Sequence, residues 1–243
     1  MSLPSFKWKD LDSYEDFGIV ISETPSVPKP KKKVNTYEID GRDGDITVDT
    51  NCYQGFPINL QCTLLDNDEW KEWEDKLDEI KVWLEGSDKL IFSFSENRYY
   101  DARISDGYSF EQTIDIRGEF IIPFYCQPFA YDTFNSSVEI IEQGQCFYNP
   151  YTYYSSKPTI TVFGEGNITI HIKDYFGEEQ IVYLKDVVDE ITMDSNLEEA
   201  HKNNIPCNQK MDGEFFILSK EDNFFTWEGN VSKIEVLGNL RFL

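Results

Sequence analysis

The chain has 243 residues, of which 40% are hydrophobic and 15% aromatic, so it is long enough to bury one large core or two of ordinary size. That composition excludes a disordered chain and suits aromatic-rich strands. Its 45 acidic and 22 basic residues give a formal net charge of −23. Such a surface repels phosphate, which argues against nucleic-acid binding.

The start of the sequence carries no export signal, because its apolar residues are interspersed with charges. The longest apolar stretch, residues 120–126, is too short to span a membrane and contains Pro123. The five cysteines form neither a metal-ligand pattern nor a disulfide framework. We therefore expect a protein made in a cytosol, with reduced and mostly buried thiols. Cys62 and Cys126 fall on the inward phase of their predicted strands.

A basic, proline-rich arm precedes a predicted hairpin. Residues 25–33 contain three prolines, which disfavour a helix, and the only concentrated positive charge in the chain. The hairpin pairs residues 34–39 with residues 46–48 around a turn at residues 40–44. We treat residues 28–49 as one arm and hairpin. Their acidic turn lacks the glycine and the glutamate spacing of a calcium loop, so we predict no metal site there.

One amphipathic helix is predicted over residues 66–85, directly after a strand with alternating apolar residues at 58–64. Asp66 and Glu69 approximate a capping box, and Gly86 suits the left-handed conformation that ends helices. Five apolar residues share one face of this helix at three- and four-residue steps: Trp70, Trp73, Leu77, Ile80 and Leu84.

The remaining apolar pattern has period two, which predicts a mainly β protein. Four strands follow the helix, at residues 90–95, 98–104, 108–116 and 120–129. The polar stretch at 132–137 suggests a domain boundary, giving domains 1–134 and 135–243. The second domain has short predicted strands and reads as a sandwich. They lie at residues 138–141, 159–163, 168–172, 180–184, 190–193, 214–218, 224–227 and 231–237.

Two further local features of the second domain are predicted. Gly164-Glu165-Gly166 lacks the pattern of a dinucleotide loop and is expected to be a hairpin turn between two strands. A helical turn is expected near residues 197–201.

The sequence offers no support for catalysis, a cofactor or a metal. His171 lies on the phase opposite the apolar residues of its strand, and His201 lies in a polar segment. No nucleophile elbow, phosphate-binding loop or zinc-protease motif occurs. Carboxylate pairs are so abundant in an acidic chain that none of them indicates a glycosidase.

The segment at residues 147–154 is rich in aromatic side chains, including Tyr148, Tyr151, Tyr153 and Tyr154. Tyrosine combines an apolar ring with a hydrogen-bonding hydroxyl, which suits wet contacts. Three alternatives remain open for this segment: packing within the protein, an interface with another protein, or a platform on which sugars stack.

Short motifs follow one another along both halves of the chain. The first half carries Asp16-Phe17-Gly18-Ile19, Gly41-Arg42-Asp43-Gly44-Asp45, Trp83-Leu84, Leu90-Ile91-Phe92, Tyr99-Tyr100-Asp101-Ala102 and Phe124-Tyr125-Cys126-Gln127-Pro128-Phe129. The second half carries Asn149-Pro150, Lys157-Pro158-Thr159-Ile160, Asp194-Ser195, Gly213-Glu214-Phe215 and Asp222-Asn223-Phe224. In this order the motifs resemble the distal tail protein (Dit) family of siphophages, the long-tailed, non-contractile bacteriophages. The chain departs from the family pattern at Glu221-Asp222-Asn223, which lacks a glycine before the asparagine, and at Pro150-Tyr151.

The resemblance implies a structural protein of the virion tail tip, made in the bacterial host cytoplasm, and no enzyme. It implies two β-sandwich-type domains: an N-terminal one with a single helix that assembles into a hexameric ring, and a galectin-like C-terminal one. The implied partners are the tail tube protein, a tail tip protein, tail-associated lysin or baseplate hub protein, and receptor-binding proteins. Nucleic acid, membrane and cofactors are not among them.

A closed ring requires each subunit to offer two different surfaces, and an extended arm suits that need. The candidate inter-subunit residues of the arm are Pro28, Lys29, Lys31, Lys32, Lys33 and Arg42. Their expected target is the segment 66–88 of a neighbour, which carries ten acidic and three basic residues; the alternative is a solvated linker. The alternative function is a carbohydrate-binding β-sandwich protein contacting host cell-wall sugars. For either role, the candidate contact aromatics of the C-terminal domain are Tyr148, Tyr151, Tyr153 and Tyr154.

Overall fold

The computed structural model describes residues 3–41, 43–65, 70–105, 119–133, 137–150 and 152–243, and of residues 70–74 and 77 only the backbone. The chain forms two compact units, residues 1–130 with residue 243 and residues 131–242. Each unit has its own hydrophobic core. The division into functional domains at residues 134/135 stays a prediction.

The first unit is built on a curled antiparallel sheet in the order β2-β1-β7-β8-β9-β6-β3. Its strands are β1 Phe6–Trp8, β2 Leu11–Asp12, β3 Ile19–Ile21, β6 Phe56–Leu64, β7 Ser87–Phe92, β8 Arg98–Ile104 and β9 Glu119–Asp132. A separate pair, β4 Lys32–Tyr37 and β5 Ile46–Tyr53, forms the predicted hairpin. The predicted strand at 108–116 lies outside the described residues.

The sheet of the first unit curls until its last strand meets its first. Ile21 in β3 donates its backbone N–H to the carbonyl of Pro4, 2.8 Å away, and Ile19 donates to Ser13 at 2.7 Å. These bonds satisfy the free edge of β3, so the strand stays fully buried. Inside the curl lie Cys62 and Cys126, as predicted from the alternation of their strands.

One α-helix is present in the described part of the chain, α1 Trp70–Leu84. The proposed capping residues at 66–69 lie outside the described residues. Trp83 anchors the helix: its ring stacks on Phe17 and Phe6 at centroid distances of 4.3 and 5.5 Å. Its indole N–H also donates to the carbonyl of Trp8 at 2.8 Å. Gly86 follows at φ +89°, the left-handed conformation expected of it.

The second unit is a two-layer β structure. Its strands are β10 Glu139–Ile141, β11 Cys146–Asn149, β12 Thr159–Asp174, β13 Glu179–Val187, β14 Glu190–Asp194, β15 Glu199–Lys202, β16 Ile205–Pro206, β17 Met211–Asp212, β18 Glu221–Leu237 and β19 Arg241–Phe242. The predicted fold class, mainly β with an α-helix in the first unit, is confirmed.

Two long strands, β12 and β18, each pass through both layers of the second unit. The first part of β12 pairs with β14, and its later part pairs with β13. β18 runs beside β12 along both parts, with register shifts where the strands bend. The prediction that Gly164-Glu165-Gly166 forms a hairpin turn is therefore wrong, because these residues form a bulged bend within β12. The predicted strands 224–227 and 231–237 are likewise one strand.

Two other local predictions for the second unit are wrong. No helical turn forms near 197–201: residues 195–198 form a turn that leads into the strand β15, and a short 3-10 helix occurs instead at Asn208–Lys210. Residues 214–218 form no regular ladder; the Gln180 side chain replaces a strand partner for Ile217. Its amide accepts from the Ile217 N–H at 2.8 Å and donates to the Ile217 carbonyl at 2.7 Å.

Candidate assembly surfaces

The hairpin β4–β5 exposes apolar side chains that a stable protein usually buries. All six residues of β4 are exposed, and most of β5 is exposed as well. Tyr37 pairs with Ile46 and Asn35 with Val48, so Tyr37, Ile46 and Val48 share one face of the hairpin. Tyr37 is 54% exposed and Val48 is 47% exposed. A lone two-stranded hairpin is marginally stable in water, so this face is suited to covering by another surface.

Charge is divided along the same arm. The base, residues 28–33, carries four lysines, of which Lys32 is bonded to Asp49 in the hairpin. This bond, together with the backbone N–H of Asn51, lowers the pKa of the Asp49 carboxyl. The remaining base lysines, Lys29, Lys31 and Lys33, point their exposed side chains into solvent. The tip, by contrast, is acidic. The base of the arm therefore suits an acidic surface.

A groove of about 850 Å³ with an acidic rim runs beside α1 in the first unit. Its acidic rim consists of Asp75, Asp78 and Glu79 on the helix, of which Asp78 is paired with Lys81 at 2.9 Å. Lys9 also lines it. The apolar lining is contributed by Leu11, Phe17, Val82 and Trp83. A surface that combines carboxylates with exposed apolar side chains matches the chemistry of the arm, which is basic at its base and apolar along one face.

The structure places the predicted arm residues as follows. Pro28, Lys29, Lys31, Lys32 and Lys33 are exposed. Arg42 lies outside the described residues. The sequence predicts the acidic residues of the segment 66–88 as the target of the arm, but it does not predict the groove that some of them line. Its apolar members were missed because Leu11 and Val82 lie in different elements, and Val82 falls off the predicted apolar face of the helix.

The predicted aromatics of the second unit are separated by the structure. Tyr148 lies on β11 with 53% of its surface exposed. Tyr153 packs on Phe242 with ring centroids 4.4 Å apart, and its hydroxyl donates to the Asp132 carboxylate. Tyr154 bridges through its backbone to Arg241. Tyr151 lies outside the described residues.

Exposed aromatics that sequence reasoning missed lie elsewhere in the second unit. Tyr175 and Phe176 are 63% and 69% exposed at the turn between β12 and β13, and Phe224 is 43% exposed on β18. Their sequence signal is a Tyr-Phe-Gly turn and a strand residue on the phase opposite buried Phe225.

No catalytic constellation emerges from the described geometry. His171 lies on the face opposite Ile170 and Ile172, as predicted, and its Nδ1 is 3.2 Å from Glu179 Oε1. In the ranges that the structure describes, no group of three or more histidine, cysteine or acidic residues is arranged to hold a metal ion. The helix found there is also too short and too polar to cross a membrane.

Most of the first unit is similar to a known family of protein domains. Residues 9–126 match the family model for the phage tail protein RIFT-related domain. These residues form a phage tail RIFT-related domain. This tail domain contains α1, the groove and the hairpin arm. No curated protein matches the sequence significantly.

A solved structure with the same fold is the Dit protein of phage SPP1. It aligns over 100% of both chains with a TM-score of 0.74 and 13% sequence identity. That protein is described as a paradigm of the hub adsorption apparatus in phages that infect Gram-positive bacteria. The tail domain and this shared fold confirm the resemblance to siphophage distal tail proteins that the motifs predicted. The first unit therefore matches a phage tail domain, and the whole chain shares the fold of a Dit protein.

Proposed function

We propose that the chain is a non-enzymatic distal tail protein that forms a hexameric ring. The ring joins the last ring of the tail tube to the tail tip, baseplate or receptor-binding apparatus. Its proposed partners are other copies of the chain, the tail tube protein, a tail tip protein, tail-associated lysin or baseplate hub protein, and receptor-binding proteins. The protein is made in the bacterial host cytoplasm and resides at the virion tail tip.

The exposed hairpin arm carries this proposal. It holds four large apolar side chains that are each about half exposed: Val34, Tyr37, Ile39 and Val48. Covering Tyr37 and Val48, which share one face of the hairpin, on a neighbouring subunit contributes about 2 kcal/mol for each arm, before the entropic cost of association. An arm that docks on a different surface of the next copy makes a heterologous contact, which closes into a ring when the rotation fits.

The receiving surface is the groove beside α1 of the neighbouring subunit. Lys29, Lys31 and Lys33 at the base of the arm face its rim of Asp75 and Glu79. The apolar face of the hairpin continues the contact along the apolar lining of the groove. Opposite charges fix the register of such a contact, while apolar burial supplies most of its affinity.

The charge of the assembled ring fits a conduit for DNA. Six copies carry a formal charge of six times −23, or −138. A strongly acidic ring has no counterion-release attraction to DNA, so a genome slides through without adhering. Binding of duplex DNA by the purified ring at low salt would contradict this part of the proposal.

Charge reversal tests the arm and groove together. Lys31→Glu with Lys33→Glu is expected to dissociate the ring, measured as particle mass by light scattering and as six-fold rings by electron microscopy. Adding Asp75→Lys and Glu79→Lys to the same chain should restore the ring, because both partners then carry exchanged charges. The matched control is Lys185→Glu, because Lys185 is an exposed lysine of the second unit, and it should leave the ring intact.

Two results would refute this assignment of the contact. One is a ring that survives both the charge reversal and the additional change of Tyr37→Ser with Val48→Ser in the apolar face. The other is a ring that dissociates when Lys31 and Lys33 are reversed and does not form again when Asp75→Lys and Glu79→Lys are added. Since all these side chains are exposed, each variant should fold, and circular dichroism with thermal unfolding checks that it does.

A further inference from the structure

One end of the second unit displays four exposed aromatic rings, which we call the aromatic platform: Tyr148, Tyr175, Phe176 and Phe224. Their exposed fractions are 53%, 63%, 69% and 43%. Three of the four lie outside the aromatic segment singled out in the sequence. The platform lies in a different unit from the arm and the groove, so ring assembly leaves its role unexplained.

Strand register places Tyr148 and Phe224 on one face. Tyr148 on β11 pairs with Asp222 on β18, and Phe224 follows Asp222 by two residues, so Tyr148 and Phe224 are diagonal neighbours. Phe224 also pairs with Lys173 on β12. Tyr175 follows Lys173 by two residues and begins the turn, which extends the same face beyond the end of the strands.

The turn that carries two of the rings is fixed by its own hydrogen bonds. The carboxylate of Asp174, only 8% exposed, accepts from the backbone N–H of Glu178 at 2.9 Å. Asp174 in turn donates its N–H to the Glu178 carbonyl at 2.9 Å, and Gly177 donates to the Asp174 carbonyl at 3.1 Å. Tyr175 and Phe176 meet edge to face, with centroids 5.5 Å apart at 88°. The backbone that carries the rings is thus fixed before any ligand arrives.

Polar side chains stand between and beside the rings. Lys173 and Asp222 lie on the same face as Phe224, and Glu179 pairs with Lys173 on the next strand. Glu179 is oriented by His171, 3.2 Å away. Flat rings that alternate with hydrogen-bonding groups suit a ligand that has both apolar faces and many hydroxyls.

The size and charge of the platform indicate which class of ligand it can bind. Its four rings expose about 450 Å² in total, against about 800 Å² on each partner of a standard protein interface. Acidic side chains lie beside the rings: Glu178 and Glu179 follow Phe176 within three residues, and Asp222 lies on the same face as Tyr148 and Phe224. They repel a second copy of this acidic chain, an anionic membrane surface and phosphate-rich polymers. A neutral ligand avoids that repulsion.

We propose that the aromatic platform is a binding site for a neutral polysaccharide of the kind that coats bacterial cells. Sugar rings stack their apolar faces on Tyr175, Phe176 and Phe224, while Lys173 and Asp222 bond to hydroxyl groups. The site adds direct contact with host sugars to the adaptor role. It does not depend on ring formation, although six copies in a ring strengthen binding through multivalency.

The test titrates the purified full-length protein with defined probes by calorimetry and affinity electrophoresis. The probes are a neutral glucan, a neutral galactan and a neutral rhamnan, with poly(glycerol phosphate) as an anionic comparison. At least one neutral probe should bind, and the anionic one should not. Phe176→Ala and Tyr175→Ala should each weaken binding about tenfold, the effect of uncovering roughly 60 Å² of ring.

Ile205→Ala is the matched control, because Ile205 is 69% exposed like Phe176 but lies on the distant edge strand β16. It should bind the probe as the native chain does. Absence of binding to all three neutral probes overturns the proposal, as does equal weakening by Ile205→Ala. Particle mass is measured on the same samples. An intact ring that binds no neutral probe refutes the platform alone. Glycan binding by a protein that stays monomeric at every concentration, even beside its tail partners, refutes the ring alone.

Discussion

Removing the ring of Trp83 should loosen α1 from the tail domain, which is the most direct test of how the groove is held in place. The side chain is 6% exposed, stacks on two phenylalanine rings and donates one hydrogen bond to a backbone carbonyl. Roughly 200 Å² of apolar surface at about 25 cal/mol per Å² gives about 5 kcal/mol. Measured tryptophan-to-alanine costs of about 3–5 kcal/mol place Trp83→Ala near 4 kcal/mol. Trp83→Phe keeps a ring but leaves the carbonyl unpaired, at about 2 kcal/mol.

Hydrogen–deuterium exchange read out by mass spectrometry measures this effect without requiring two-state unfolding of a two-unit chain. Peptides covering residues 70–92 should exchange about a thousandfold faster in Trp83→Ala and about thirtyfold faster in Trp83→Phe. Peptides of β12 and β18 should be unchanged, because they belong to the other core. Val82→Ala is the control, since its side chain is 69% exposed and adjacent. Equal protection of residues 70–92 in the native and Trp83→Ala chains would refute the anchoring role.

Three further outcomes follow from the geometry. Burial raises the pKa of the Cys62 thiol to about 12. Ellman's reagent at pH 8 should therefore modify the exposed Cys52 at once and Cys62 only after unfolding. Because the thiol ionises more readily in the unfolded chain, the folded state should also lose stability as the pH rises from 9 towards 12. Asn223→Ala should cost about 3 kcal/mol of thermal stability, because its buried amide makes four hydrogen bonds. Gly164→Ala should lower the free energy of unfolding by about 3 kcal/mol, measured by calorimetry, because the new Cβ would lie 2.4 Å from a backbone oxygen. Gly166→Ala should lower it by only about 1 kcal/mol, because the space around Gly166 is open and only its φ of +79° is unfavourable. Rapid labelling of Cys62 in the native protein, or equal costs for the two glycines, would contradict these assignments.

Local signals in the sequence were enough to predict α1, its end at Gly86 and the hairpin arm. Each of these features depends on residues close together in the chain: helical spacing, a glycine in the left-handed region and a turn rich in glycine and aspartate. The inward phase of Cys62 was equally accessible, because strict alternation fixes which face a strand residue occupies.

The long strands of the second unit were not accessible in the same way. Glycine suits both a tight turn and a bulge, so Gly164 and Gly166 gave a turn signal for what is a bend between two layers. Only the neighbouring strand β18, distant in sequence, decides between them. The short strand β1 was missed for a related reason, since three residues carry too little periodicity and owe their structure to pairing with β7.

The candidate surfaces were predictable in composition but not in arrangement. Lysines at the base of the arm and carboxylates along α1 are visible in the sequence. The exposure of Tyr37 and the apolar lining of the groove require the fold. The aromatic platform depends most on tertiary structure, because Tyr148 and Phe224 become neighbours only through the pairing of β11 with β18.

The mass and symmetry of the purified full-length protein test the central claim most directly. Light scattering across a range of concentrations, with electron microscopy of the same sample and of mixtures with tail tube and tip proteins, gives both quantities. A ring of six 28.4 kDa chains, about 170 kDa in mass, is the expected result. A particle that remains monomeric at every concentration, even beside its tail partners, would contradict the account.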